Sequence, residues 1–413
     1  MQPRHILIAN NVYPPIMAGG AELIVAYLAE GLAAAGHRVT VVSTCGPEAE
    51  PYPIETRNGV EIIRFFPKNF YWSFTRGQVP AYQKALWHAR DAWNFDAARR
   101  FKAILSDKRP DILHTHLIDG MSAALWRRAK QAGIPVIHTA HDYHLICPRA
   151  LMLTRKLELC NTPHLGCQLY RQWHLHTAED VDLFTSPSQF LINKHLEHGL
   201  RAKRTAVVRN GIPLPVLPPK QYDSSKPLRF LFAARLTPEK GCQVVLDALK
   251  HLPADLPFEL TVAGKGAMED SFRDMAEQDK RVRFLGYISG NEKQTVFNQT
   301  DCLLIPSLWY ENAPVVIVEA AAYGMGVIGS DMGAIPEFVQ HLETGLLFEP
   351  GNPQALAAAM TQLIKKPEQL PHFAAKARHL LEECTVARMI DNYVTHYEAL
   401  MNVAATNRAA AAA

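Results

Sequence analysis

Apolar residues along this chain come in short continuous runs rather than in strict alternation, and helical stretches separate the runs. Before residue 210 the runs occupy His5 to Ala9, Arg38 to Ser43, Asp111 to His114, Pro135 to Thr139, Val181 to Thr185 and Thr205 to Val208. Such runs, rich in β-branched residues and bounded by turn residues, read as strands buried on both faces, and their alternation with helices predicts a parallel sheet covered on both sides. The pattern resumes at Leu228 to Ala234, Phe258 to Ala263, Val282 to Leu285, Asp301 to Pro306 and Gly326 to Gly329. Between the two series lies Ile212-Pro-Leu-Pro-Val-Leu-Pro-Pro219, whose prolines predict an extended, stiff connection. The expectation is an α/β chain of two doubly wound domains: residues 1–210, a proline-rich linker at 211–227, and a second domain at 228–385. A closing helix of about Val386 to Met401 falls within 386–413, which ends in a low-complexity tail, Ala409 to Ala413. No short fixed-period repeat is visible, which excludes a solenoid.

Ligands of open parallel sheets collect at the carboxyl ends of the strands, so the residues that follow each run carry the candidate chemistry. The run Phe230 to Ala234 leads into Arg235-Leu-Thr-Pro-Glu-Lys240-Gly241, where Thr237 is expected to cap a helix that Pro238 opens. The run Asp301 to Ser307 leads into Glu311-Asn-Ala-Pro-Val-Val-Ile-Val-Glu319. Here Asn312 reads as the N-cap and Pro314 as an early helical residue, so a helix is expected to start between Glu311 and Pro314. Free N–H groups at Ala313, Val315 and Val316 would then face an anion, while the ionised carboxylates of Glu311 and Glu319, acceptors only, suit vicinal hydroxyls. Two cations, a helix start and two carboxylates together point to a diphosphate flanked by hydroxyl-bearing groups, as in a nucleotide-sugar. Taken separately, each is equally well a solvated surface charge.

In the first domain, the first run leads to Gly19-Gly20 and a helix expected at Ala21 to Ala35. Glycines let backbone N–H groups approach an anion at a helix start, although two adjacent glycines are most often only a turn. The GxGxxG fingerprint and its acidic partner are lacking, which argues against NAD. His141 ends the run Pro135 to Thr139, but His114, His116, His138 and His144 compete with it, and periodicity does not choose among them. Asp142 and Asp119 are the nearest carboxylates for activating an acceptor hydroxyl, and each reads equally as a cap or loop residue.

Joint occurrence is more specific than any one motif. Gly19-Gly20-Ala-Glu22, His138-Thr-Ala-His141-Asp142, Val207-Val-Arg-Asn210-Gly211, Arg235 with Lys240, Gly264-Lys-Gly266, and Glu311 through Glu319 together resemble the family 4 glycosyltransferases, over essentially the whole chain. The resemblance implies the GT-B fold, two Rossmann-like domains facing across a cleft, and hexosyl transfer with retained anomeric configuration. It implies that Arg235 and Lys240 hold the donor diphosphate, Glu319 the ribose and Glu311 the transferred sugar. Gly20 would approach the donor phosphate and His141 the reacting sugar, and the base would meet backbone near Gly286-Tyr287-Ile288. One departure is Ile212-Pro213 after Asn210-Gly211, where an acidic residue is often found. It bears on the connection between the domains.

The 413 residues, 48% hydrophobic, are enough for two cores, and the formal net charge of +3 is too small to suggest a nucleic-acid partner. The start Met-Gln-Pro-Arg-His shows no signal-peptide pattern and no apolar run is of membrane-spanning length, so cytoplasmic residence is expected. The segment Phe65-Phe-Pro-Lys-Asn-Phe-Tyr-Trp-Ser-Phe-Thr-Arg76, followed by Lys84, Trp87, His88, Arg90 and Trp93, is aromatic and basic. It suits an acceptor cleft, a peripheral membrane contact at the inner face, or internal packing. Seven scattered cysteines read as reduced thiols, with Cys147, Cys160 and Cys167 near His164, His174 and His176 as the one group that would suit zinc, although no CxxC spacing is present. No cofactor is expected. The donor is expected to be a UDP- or GDP-sugar and the acceptor a glycan or lipid-linked hydroxyl, with the two cations in place of a divalent metal ion. A nucleotide-sugar epimerase, a phosphorylase, or a non-catalytic scaffold of a glycan assembly complex remain as other readings of the same architecture.

Overall fold

The apolar runs pair as two separate sheets, one in each of two units. The computed structural model describes residues 2–17, 19–49, 53–74, 79–218, 220–223 and 225–412, with side chains to residue 406. Thr75 and Arg76 of the aromatic segment, Pro219 of the linker and Ala413 of the tail lie outside the described residues. The first unit comprises Met1–Leu151, Asn161–Ile212 and Thr385–Ala413, and the second Met152–Cys160 and Pro213–Cys384.

In the first unit the strands are β1 (His5–Ala9), β2 (Arg38–Thr44), β3 (Glu55–Arg57), β4 (Val60–Phe65), β5 (Ile112–Thr115), β6 (Val136–Thr139), β7 (Leu183–Ser186) and β8 (Thr205–Val207). Their order across the sheet is β3-β4-β2-β1-β5-β6-β7-β8, and every neighbouring pair is parallel except β3 with β4. The six expected strands are present to within two residues at each end. The β3–β4 hairpin was not anticipated: Glu-Thr-Arg of β3 is a short polar strand that no apolar run marks, and Val60-Glu-Ile-Ile-Arg-Phe65 of β4, which does carry apolar residues, lies outside the expected strands. Its turn does carry a signal: Asn58 and Gly59 both have positive φ, at 46° and 79°, and Asn-Gly is the pair that tolerates a two-residue hairpin turn.

The long closing helix, Val386–Ala412, packs on the helix Gly20–Ala34 of the same unit. Gly31 allows the close approach, since a Cβ there would lie 2.3 Å from Ile390 Cδ1. Tyr393 and Tyr397, one turn apart, reach into the sheet. The Tyr397 hydroxyl lies 2.7 Å from His114 Nδ1, while the Tyr393 hydroxyl lies 2.9 Å from Thr139 Oγ1, which also meets His114 Nε2 and Thr185 Oγ1. A buried polar layer of this kind is stable only when its members satisfy one another.

The second unit has β9 (Leu228–Ala233), β10 (Phe258–Ala263), β11 (Val282–Gly286), β12 (Cys302–Ile305), β13 (Gly326–Ser330) and β14 (Leu346–Phe348), all parallel, in the order β11-β10-β9-β12-β13-β14. Only the three-residue β14 was not expected. Phe230, Phe232, Phe258 and Phe272 anchor its core against the helices Cys242–Lys250 and Pro353–Lys365. In each unit the strand order reverses once, between β1 and β5 in the first and between β9 and β12 in the second. Loops leaving the sheet on opposite sides of a reversal leave a crevice, and that places the candidate sites. Among the described residues no helix is long and apolar enough to cross a membrane.

Replacement Tyr397→Phe removes the hydroxyl beside His114 Nδ1 and leaves that nitrogen buried. A destabilisation of about 1 to 3 kcal/mol is expected, read as a lower urea midpoint of the first unit.

Candidate active site

In the second unit the loop after β9 carries Arg235 and Lys240, and the loop after β12 carries Ser307 to Pro314. Backbone bonds knit them together: Leu308 N–H donates to Glu239 O at 2.8 Å. Gly241, at φ +78°, abuts the second loop so tightly that a Cβ would lie 1.8 Å from Pro306 O. The loop after β13 closes the third side. Ala334 N–H donates to Glu311 O at 2.8 Å, and a Cβ on Gly333, at φ +63°, would come within 2.6 Å of Glu311 N. Glu311 is thus held by three loops.

Its side chain is 6% exposed and receives Lys240 Nζ at 2.8 Å and Ser307 Oγ at 2.6 Å on the same oxygen. Burial alone would push the Glu311 carboxyl up. The Lys240 ammonium and the hydrogen bonds from Lys240 and Ser307 outweigh that and hold it below the usual glutamate range. Lys240 Nζ also lies 4.7 Å from the centroid of the Trp309 ring, which confines the ammonium on another side. Arg235, by contrast, is solvent-exposed and makes no side-chain hydrogen bond or ion pair among the described residues. One cation is preset and one is open.

The helix after this loop is Val315–Ala322 and not the longer one expected. Pro314 takes the N-cap position and no side chain caps it, so Asn312, expected as the cap, does not serve as one. The reason lies in Pro314, which disfavours helical backbone at the residue before it and delays the start. The first N–H groups therefore have no cap at this end, next to Glu311. Thr237 likewise does not cap: its Oγ1 donates to Glu239 Oε1 at 2.7 Å, and Pro238–Lys240 forms a single 3₁₀ turn. Glu319, in the second turn of Val315–Ala322, pairs with Lys293 from the helix Gly290–Gln299. Tyr287 and Ile288 follow β11 at the same sheet edge, Tyr287 exposed and Ile288 buried.

In the first unit Gly19 and Gly20 open the helix Gly20–Ala34, and Gly19 N–H donates to the buried Glu22 carboxylate at 2.8 Å. A Cβ on Gly20 would meet nothing within 4 Å, so protein packing does not require glycine there. His141, just past β6, has its Nε2 2.9 Å from His116 Nδ1, and burial brings its pKa down to about 4. The pair is uncharged near neutral pH. His114 and His138 are buried within the sheet, bonded to Thr139 and Tyr397 and to Thr115 respectively, while His144 meets the Tyr170 hydroxyl. His141 lines a small pocket with His116, His138, Asp142 and His144. Asp142 accepts from His144 N–H and Asp119 from Asn11 Nδ2, the latter joining the loops after β1 and β5. None of the seven cysteines is in a disulfide, and among the described residues no group of three or more His, Cys, Asp and Glu is placed to hold a metal ion, Cys147, Cys160 and Cys167 included.

Residues 18–215 match the model of Glycosyltransferase Family 4, and residues 218–380 that of Glycosyl transferases group 1. An uncharacterised 42.6 kDa protein in the cps region of Klebsiella pneumoniae is 31% identical over 81% of this chain and 87% of its own length. The chain belongs to the family 4 glycosyltransferases. Glycogen synthase of Mycobacterium tuberculosis is 28% identical to this glycosyltransferase, over 91% of the chain and 90% of the relative. The solved structure of Anabaena HepE in complex with UDP superimposes with a TM-score of 0.70 at 18% identity, covering 96% of this chain and all of that one, which shows the same GT-B fold.

Ser307, Gly333 and Lys293 complete the surroundings of the two glutamates in this glycosyltransferase and were not singled out from sequence. Ser307, four residues before Glu311 at the end of an apolar run, carried a weak signal. Gly333 and Lys293 carried none, being joined to the site only by the fold. A carboxylate whose native pKa is lowered stabilises the fold fully above its unfolded pKa and loses that contribution as pH falls through the native value. Ser307→Ala removes one support of the Glu311 anion. The acid-induced loss of stability of the second unit is therefore expected to begin at higher pH than in the parent, in urea midpoints measured against pH.

Proposed function

We propose that this glycosyltransferase moves a hexosyl unit, with retained anomeric configuration, from a nucleoside diphosphate-sugar to a hydroxyl of a glycan or lipid-linked acceptor in polysaccharide biosynthesis. One observation carries the donor side: an exposed, unpaired Arg235 sits on the loop whose Lys240 pairs with Glu311, next to an uncapped helix N-terminus, at the reversal of strand order. The UDP held by HepE and the cps origin of the Klebsiella relative support the same reading.

As the bond from the sugar's C1 to the β-phosphate oxygen lengthens, positive charge grows on the ring and negative charge on the diphosphate. Arg235 and Lys240 answer the second, and the helix N-terminus adds its partial positive charge. The acceptor oxygen forms the new bond to C1, and its proton leaves with the nucleoside diphosphate. The Glu311 and Glu319 carboxyls accept hydrogen bonds from the sugar and the ribose respectively, and the loop Gly286-Tyr287-Ile288 faces the base. Because two cations already face the leaving diphosphate, the reading requires neither a metal ion nor a cofactor.

Substitutions Arg235→Ala and Lys240→Ala are each expected to lower turnover about 100- to 1000-fold, measured as nucleoside diphosphate released together with glycosylated acceptor. Full activity in either variant contradicts the assignment, and nucleotide release uncoupled from acceptor glycosylation contradicts transfer. With UDP- or GDP-sugar as donor, turnover is expected to persist in excess EDTA; loss restored only by a divalent metal would overturn the metal-free mechanism.

A further inference from the structure

Adjacent parallel strands deliver two histidine rings to one edge of the first sheet. His116 follows β5, at the reversal of strand order, and His141 follows β6. His116 N–H donates to Ala9 O at 2.9 Å, which fastens its backbone to β1, and its ring packs on that of His114 with centroids 4.0 Å apart. The nitrogens of His114 are already held by Tyr397 and Thr139. His116 meets His141 instead: Nδ1 lies 2.9 Å from His141 Nε2, and the two rings are within 24° of parallel. His116 is 2% exposed and His141 only half-buried, so the inner ring supports the outer one.

This contact carries a single proton. Burial holds both rings neutral, His116 well below the ordinary histidine range and His141 at about 4. Between neutral imidazoles one nitrogen donates and the other accepts, so either His116 Nδ1–H or His141 Nε2–H supplies the bond. The far nitrogen of His116 decides between them. Nε2 is buried and has no hydrogen-bond partner among the described residues. A proton there would bury an N–H with no acceptor, the arrangement that folded proteins avoid most, whereas an acceptor left unfilled is less rare. His116 therefore keeps its proton on Nδ1 and donates it to His141 Nε2. The proton of His141 is then on its own Nδ1.

We infer that His116 is a positioning residue for sugar transfer: it fixes the orientation and the tautomer of His141, so that His141 Nδ1 is a hydrogen-bond donor. The inference deepens the sugar-transfer reading and rests on it for the task of His141. A sugar hydroxyl both gives and takes a hydrogen bond; carboxylates answer only its hydrogen, and an N–H answers its oxygen. A histidine free to turn or to exchange tautomers would offer that N–H part of the time. With Nε2 committed to His116, the ring offers it always, and which nitrogen of a histidine works is set by the bond that the other one makes.

The test is a nitrogen-15 spectrum of the histidine rings in the full chain at neutral pH, with the His141 signals identified by their loss in His141→Ala. Nδ1 of His141 is expected to carry the proton and Nε2 to be bare; the reverse overturns the inference. His116→Leu is expected to release the His141 tautomer and to lower kcat/KM for the nucleotide-sugar about tenfold, with the affinity for free nucleoside diphosphate unchanged in calorimetry. His116→Asn keeps an N–H near the place of Nδ1 and is expected to restore both the tautomer and most of the lost activity. In the His141→Ala background His116→Leu is expected to cost nothing further, and a further tenfold loss there overturns the inference, since His116 would then act by another route. Where His116→Leu does not fold, the parent spectrum and His116→Asn decide. The spectrum reads the ring whether or not sugar is transferred, so absence of turnover with UDP- and GDP-sugars counts against the sugar-transfer reading, and a wrong tautomer in an active chain counts against His116 alone.

Discussion

Reversal of strand order beside β9 is the constraint on which the candidate site depends. The chain leaves β9 for β10 on one side and later returns through β12 on the other, so two neighbouring strands send their following loops apart over the same edge. Lys240 and Glu311 are 71 positions apart in the chain and meet because of this crossing, and Arg235 is carried on the same loop as Lys240. Convergence also needs atomic room, and Gly241 and Gly333 supply it by letting backbone pass where a Cβ would collide. Loops built in this way hold their side chains before any ligand arrives.

Electrostatics within that frame follow from unequal burial. Removing Glu311 from water is costly, and the Lys240 ammonium with the Ser307 hydroxyl offsets the cost, so the buried group stays ionised. Arg235 has no such internal partner among the described residues, and its charge remains exposed to solvent. A preset pair and, on the same loop, an open cation combine fixed orientation with charge left facing solvent.

The first unit uses polar residues differently. His114, Thr139, Thr185, Tyr393 and Tyr397 satisfy one another inside the sheet and fasten the closing helix to it. Burial keeps His114, His116, His138 and His141 uncharged near neutral pH, so they act within the unit as hydrogen-bonding groups and not as charges.

Most strands and the two-domain plan were legible because buried parallel strands leave long apolar runs that turn residues punctuate. The β3–β4 hairpin and β14 were not: β3 and β14 have three residues each and are decided by the neighbours they pair with, whereas the six-residue β4 and the Asn58-Gly59 turn before it did carry a signal. Arg235, Lys240, Glu311 and Glu319 could be named in advance as charges that follow apolar runs. Their partners Ser307, Gly333 and Lys293, and the delayed helix start at Val315, depended on which loops met. The amino-acid sequence by itself determined the elements, the candidate charges and the family, because local pattern and motif spacing are properties of the chain. Only the tertiary structure decided which charge is paired and which is open, and which histidines belong to the core, because these follow from contacts between segments far apart in the chain.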